Sequence, residues 1–481
     1  MILAVDPVPW ARAQMAFTLG VHIILVPLGV AWAFMILVAE RRAMKHDDAD
    51  ARLLARRWSK VLAVTFAVGA VTGTVLTFEF GLLWPRFMGR FGDAFGIPFA
   101  IEGLFFFLEA IFLAIYIYGW DRLSPRAHWW SGVPIVVSGI GGTASVIAAN
   151  AWMNQPAGFR LNAAGRMVHV DALQVIFNRA FPYETAHMLV AAYLVGGFLI
   201  ASVYAVAMLR GRRDRYHRLG FLIPFTIAAV AAPVQMVVGD FVARAVFHDD
   251  PTKFAAIELV SKTGTHVPET LGGYLDDHGR LHAGIRIPDA ASLLSGYSTS
   301  TKVQGLRAVP GRDRPTFTQA NTVHLAWDLM IGLGSALALL SVWFGITWWR
   351  RRDLPRTVWF LRAAAVSGAA SVVALEAGWV VTEVGRQPWI VHGFMRVPQG
   401  ATTNSGVWIT FLVVVGVYLA VGVVTVLVLR SMARRWRAGL DTSGPYSPNG
   451  RERGVDFDAP GPHSPSGARA ARPAGPRAGE S

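Results

Sequence analysis

The arrangement of the apolar residues constrains this chain most. They run in unbroken blocks of about twenty or more residues, separated by short polar stretches. A helix of about 20 apolar residues crosses the hydrocarbon core of a bilayer. Nine blocks meet that length, over roughly 14–39, 60–84, 97–120, 129–152, 185–209, 219–243, 322–349, 357–383 and 405–430. The expected fold class is all-α, a polytopic membrane protein with nine transmembrane helices. Charged residues make up 16 %, well under the roughly 25 % of soluble domains, which excludes an ordinary soluble enzyme. Cysteine is absent. That excludes disulfides, iron–sulfur clusters and thiolate metal sites, so any metal needs His, Met, Asp, Glu or backbone as ligand.

The net charge of +14 would favour nucleic acid in a soluble protein, whereas in a membrane protein it marks cytoplasmic connections. Its placement decides. Basic clusters follow the first span (Arg41, Arg42, Lys45, Arg52, Arg56, Arg57), the third (Arg122, Arg126), the fifth (Arg210, Arg212, Arg213, Arg215, Arg218), the seventh (Arg350, Arg351, Arg352, Arg356) and the ninth (Arg430, Arg434, Arg435, Arg437). Every odd-numbered span ends at such a cluster. This predicts the N-terminus outside and the C-terminus in the cytoplasm, a lipid bilayer as surroundings and no nucleic acid partner. Four segments follow: 1–243 with spans one to six, a polar outer loop over 244–321, 322–437 with spans seven to nine, and 438–481. That tail is rich in Pro, Gly, Ser and Arg, cannot bury a core and reads as a disordered cytoplasmic tail.

A charge at the bilayer centre costs about 2.5–3.5 kcal/mol or more, so ionisable residues there are rare and tend to be functional. This chain has a set: His22, Glu79, Glu102, Glu109, His187, Asp240, Asp328, Glu376 and Glu383, with Arg386 just past the eighth span. With the N-terminus outside, nearly all fall in the outer half of the membrane. Glu102 and Glu109 are seven residues apart, two helical turns, and share one face. Such a ladder suits proton passage. Glu376 and Glu383 repeat the spacing. Imidazole and thioether without cysteine is the ligand set of a low-spin haem, and His187 and Met330 lie at similar depth on different spans. Taken singly, each has a plainer reading: a histidine bonded to a carbonyl, a packed methionine, a protonated carboxyl. Their coincidence at one depth favours function.

The stretches HIILVPLG, FEFGLLWP, AIEG with its following Glu, YGWDRL, ANAWMNQP, PTKFAAIE and EAGW…GRQPW together resemble subunit I of the cytochrome bd-type ubiquinol/menaquinol oxidases, over about residues 10–430. The outer loop is short, as in the branch that includes cyanide-insensitive oxidases. The resemblance implies three haems and a quinol-binding outer loop over 244–321. By matching positions, His187 and Met330 would ligate low-spin haem b. His22 would ligate one high-spin haem and Glu383 the other, with Trp379 and Arg386 beside them. Which of the two carries high-spin haem b and which haem d is open, as is haem b in place of haem d; His22 is favoured for haem d, with Glu102 nearby. Lys253 and Glu258 would face quinol, and Glu109 would belong to the proton path. One position departs: Asp328 stands two residues before Met330, where the family often has Arg.

The implied activity is that of an electrogenic quinol:oxygen oxidoreductase in the bacterial cytoplasmic (inner) membrane. It oxidises quinol at the outer face and reduces dioxygen to water without pumping. The implied partners are subunit II and a small single-helix subunit. The rival reading is a proton-coupled secondary transporter with buried carboxylates and no haem. The chain shows neither an inverted repeat nor paired Gly/Pro-broken spans to support it.

Overall fold

The structure, a computed structural model, describes residues 6–440 apart from position 356. The segment 441–481, most of the tail read above as disordered, lies outside the described residues. Thirteen α-helices occur among the described residues: α1 (Pro7–His46), α2 (Ala49–Leu83), α3 (Pro85–Gly119), α4 (Pro125–Asn154), α5 (Ala172–Ile176), α6 (Phe181–Leu209), α7 (Arg215–Asp249), α8 (Pro251–Ile257), α9 (Ala290–Gly296), α10 (Phe317–Arg351), α11 (Val358–Gly385), α12 (Val397–Gly400) and α13 (Val407–Arg437). Nine of them, α1–α4, α6, α7, α10, α11 and α13, are long and apolar enough to cross a membrane, the number expected.

Most of these helices outrun the apolar blocks. The third begins at Pro85 rather than near 97, because Phe87, Phe91 and Phe95 recur every fourth residue and are buried, against Trp152 among others. Arg86 and Asp93 take the exposed face of that turn. The second begins at Ala49, where the Asp48 carboxylate accepts the Ala51 N–H and caps the helix. Asp48 also takes Arg42 at 3.1 Å and Arg215 at 2.7 Å. With Arg215 as the largest cause, its carboxyl is held down at about 2. Arg56–Asp121 and Arg218–Asp353, each 2.6 Å, join other connections at this Arg-rich end. The YGWDRL stretch therefore closes α3 there, with Trp120 donating to Ser59.

The principal helix pairs are α1–α2, α3–α4, α6–α7, α6–α11 and α10–α11. Phe198, Phe221, Phe225, Phe344 and Phe360 fill the core between α6, α7, α10 and α11. A buried polar cluster that the sequence did not announce lies between α1, α3 and α4. The His128 Nδ1 is 2.6 Å from Glu40, its Nε2 donates to the Tyr116 carbonyl at 2.8 Å, and the Tyr116 hydroxyl donates to Glu40 at 2.5 Å.

The segment between α7 and α10 covers 250–316, shorter than the 244–321 expected. The helix α7 runs on to Asp249, and a Thr316–Gln319 capping box starts α10 at Phe317. It is ordered: Asp250 caps α8, Glu269–Leu271 pairs antiparallel with Ile285–Ile287, and Tyr274–Leu275 with Leu281–His282. Phe254, Leu275, Val303 and Leu306 form a small core with Val323 of α10.

Candidate functional site

A cavity of about 810 Å³ lies among α1–α4 and α11, within the size range of small-molecule and cofactor sites. Its walls are mostly apolar, yet His22, Glu102, Glu109, Glu376, Glu383, Trp379 and Arg386 all line it. The seven-residue spacing thus turns both members of each glutamate pair toward one space. Thr72 donates its hydroxyl to carbonyls of its own helix, so its oxygen is left to accept from the His22 Nδ1, 2.9 Å away. That bond fixes the tautomer and leaves the Nε2 lone pair available to a ligand. Glu383 accepts from the Asn150 amide at 2.7 Å and from the Arg386 guanidinium. Arg386 is 5 % exposed, and among the described residues its Nε and Nη1 have no hydrogen-bond partner, nor does the Glu376 Oε1.

His187 and Met330 lie outside that cavity lining, on α6 and α10 of the neighbouring helix group. The Gln235 amide nitrogen sits 3.1–3.2 Å from both His187 ring nitrogens. Met330 faces Gly378 of α11, where an added Cβ would stand 3.0 Å from the sulfur. Glu79, expected in the polar layer, is 2 % exposed and fully engaged by Gln14 at 2.7 Å and Thr18 at 2.5 Å. Asp240 is paired with Arg244 one turn on.

Lys253 and Glu258 sit on and just after α8 but meet different neighbours. The Lys253 ammonium donates to Asn154 at 3.3 Å. Glu258 is buried, and its carboxyl is pushed up to about 8, first by desolvation and then by the nearby Glu269 and Asp328. Asp328 accepts the Gly272 N–H at 2.5 Å and lies 3.4 Å from the His324 Nε2. The ring nitrogens of His324 face two carbonyl oxygens, of Ile257 and Gly272. The ring is fully buried and stands beside Asp328. Thr72, Asn150, Asn154, Glu184 and His324 escaped the sequence reading. Only ANAWMNQP carried a signal, two asparagines four residues apart at the end of a span.

The donor set fits haem. His22 offers a free imidazole nitrogen to the cavity, and Glu383 offers a carboxylate. The two unpartnered nitrogens of buried Arg386 suit a propionate. Gly378 leaves beside the Met330 thioether a hollow that a Cβ would fill.

The sequence matches the family described as Cytochrome bd terminal oxidase subunit I over residues 10–436. A Bacillus subtilis (strain 168) chain assigned as a cytochrome bd menaquinol oxidase subunit I is 32 % identical, covering 88 % of this chain and 96 % of that one. Cytochrome bd ubiquinol oxidase subunit 1 of the same organism is 29 % identical, covering 82 % and 86 %. The solved bd oxidase from Geobacillus thermodenitrificans superposes with a TM-score of 0.82 at 33 % identity, over 90 % of this chain and 99 % of that chain. The transporter expected as a rival is not supported, since family and fold are those of an oxidase. The chain belongs to the cytochrome bd terminal oxidase subunit I family, the haem-carrying subunit that works with subunit II as a quinol:oxygen oxidoreductase of the bacterial inner membrane.

Proposed function

We propose that His187 and Met330 hold low-spin haem b and that His22 and Glu383 hold the two high-spin haems, His22 the haem d. The cavity that gathers His22, Glu102, Glu109, Glu376 and Glu383 carries this reading. Bound haem supplies one-electron transfer and a place for dioxygen. The protein does the rest. Thr72 orients the His22 ring, Asn150 and Arg386 orient the Glu383 carboxylate, and Arg386 balances acidic groups with its two remaining nitrogens. Trp379 and the surrounding aromatic side chains exclude water, which strengthens every charge interaction inside.

Quinol docks against 244–321. Glu258 accepts a hydroxyl proton, with burial, Glu269 and Asp328 raising its affinity for that proton. Lys253 supplies the cation that draws the ring oxygen as it loses the proton. Protons leave on the loop side, which is outside in the orientation given by the Arg-rich ends. Protons for water formation come from the cytoplasmic side, and Glu109 passes them to Glu102 along one face of α3. Release on one side and uptake from the other separates charge without pumping. A small single-helix subunit accompanies subunit II.

Oxygen uptake driven by a soluble quinol, with spectra of wild type and His187→Ala, tests the reading. His187→Ala should lose the low-spin haem signal alone. An unchanged spectrum rejects the assignment.

A further inference from the structure

One buried carboxylate has no part in the reaction so far. Glu184 opens α6 a turn before His187 and accepts the Asn154 amide N–H at 2.9 Å. The same amide offers its oxygen to the Lys253 ammonium at 3.3 Å. A carboxyl oxygen on the nitrogen side and an ammonium on the oxygen side fix the orientation of that amide. Lys253 is only 6 % exposed, and its stem lies across Gly385 of α11. A Cβ at 385 would stand 3.1–3.3 Å from the Lys253 Cγ, Cδ and Cε, so the glycine of GRQPW makes the passage. The charges around Glu184 are Lys253, Arg386 and Glu383. Arg386 and Glu383 are bonded to each other, and Lys253 is the foremost charge acting on Glu184. Removing the Glu184 carboxyl takes away the group that Asn154 bridges to the buried Lys253 ammonium, and breaking a buried polar arrangement on one side costs far more than losing a weak surface pair.

We infer that Glu184 is a positioning residue for quinol oxidation, holding Lys253 through Asn154 in the Gly385 passage and so setting how tightly quinol is held. This rests on the reading of Lys253 as the quinol-side cation. The test uses the assembled complex with subunit II and menadiol as quinol, comparing wild type, Glu184→Gln, Glu184→Asp, Lys253→Met and the double variant E184Q/K253M. Each is checked by its reduced-minus-oxidised spectrum. Glu184→Gln is expected to raise the KM for menadiol about tenfold, the scale of an unpaired buried charge, with kcat moving less than about twofold. Glu184→Asp recovers most of the affinity. In the Lys253→Met background, Glu184→Gln adds under about twofold, because coupled residues are not additive. A wild-type KM in Glu184→Gln, or the same rise with and without Lys253, overturns the inference. A wild-type KM in Lys253→Met overturns the underlying reading of Lys253 instead. Where Glu184→Gln gives no haem spectrum, Asn154→Ala cuts the same bridge and should raise KM equally; an unchanged KM there overturns the inference.

Discussion

The sharpest consequence concerns Glu258. Its carboxyl titrates at about 8 rather than at the ordinary 4.5. A general base works only when ionised. With that midpoint, about 1 % is ionised at pH 6, about 10 % at pH 7, half at pH 8 and about 90 % at pH 9. The kcat/KM for quinol should therefore rise nearly tenfold between pH 7 and pH 9 and level off above. An ordinary glutamate would give a flat profile over that range. Glu269→Gln or Asp328→Asn removes a neighbouring negative charge and should move the rise to lower pH. Glu258→Gln should lower the rate and abolish the rise. The same shift affects stability. The folded chain holds this proton more tightly than the unfolded chain, so the contribution is fully present below about 4.5, declines as pH rises and is lost once pH passes about 8. Glu258→Gln should accordingly raise the melting temperature at pH 9 more than at pH 5. The assay is oxygen uptake with a soluble quinol on detergent-purified complex from pH 6 to pH 9. A flat wild-type profile, or a rise that persists in Glu258→Gln, refutes the reasoning.

Three other substitutions probe separate parts of the account. Gly378→Ala puts a Cβ 3.0 Å from the Met330 sulfur and should shift or weaken the low-spin haem band while sparing the high-spin features; an unaltered band counts against Met330 as ligand. Glu79→Ala strands Gln14 and Thr18 and should lower stability by about 1–3 kcal/mol in thermal unfolding, with the spectrum unchanged. Glu109→Gln should slow oxygen reduction at least about tenfold without changing the KM for quinol, and normal turnover would remove Glu109 from the proton path.

Much of the architecture was legible because hydropathy alone specifies a membrane span. All nine spans were found, but their ends were not. In 85–96 the helical signal is a Phe stripe four residues apart beneath arginines and an aspartate, and its burial depends on Trp152 some sixty residues away. The cavity residues could be read because ionisable groups in apolar helices stand out one by one. Their partners could not. Thr72 is an ordinary helix threonine until His22 lies 2.9 Å from it. Glu40, Tyr116 and His128 come from three helices and form a unit only after folding. The surroundings of Asp328 were unreadable for the same reason, since the Gly272 N–H that it accepts comes from a distant part of the chain. Glycines 378 and 385 carry their meaning wholly in the side chains that pass them.

A density map of the purified two-subunit complex, with irons located by anomalous scattering, tests the central claim most directly. The account predicts three iron porphyrins: one bound by His187 and Met330, one on the His22 Nε2 and one on the Glu383 carboxylate. Irons bound by other side chains, or a cavity around His22 and Glu383 filled by lipid or water alone, would contradict it.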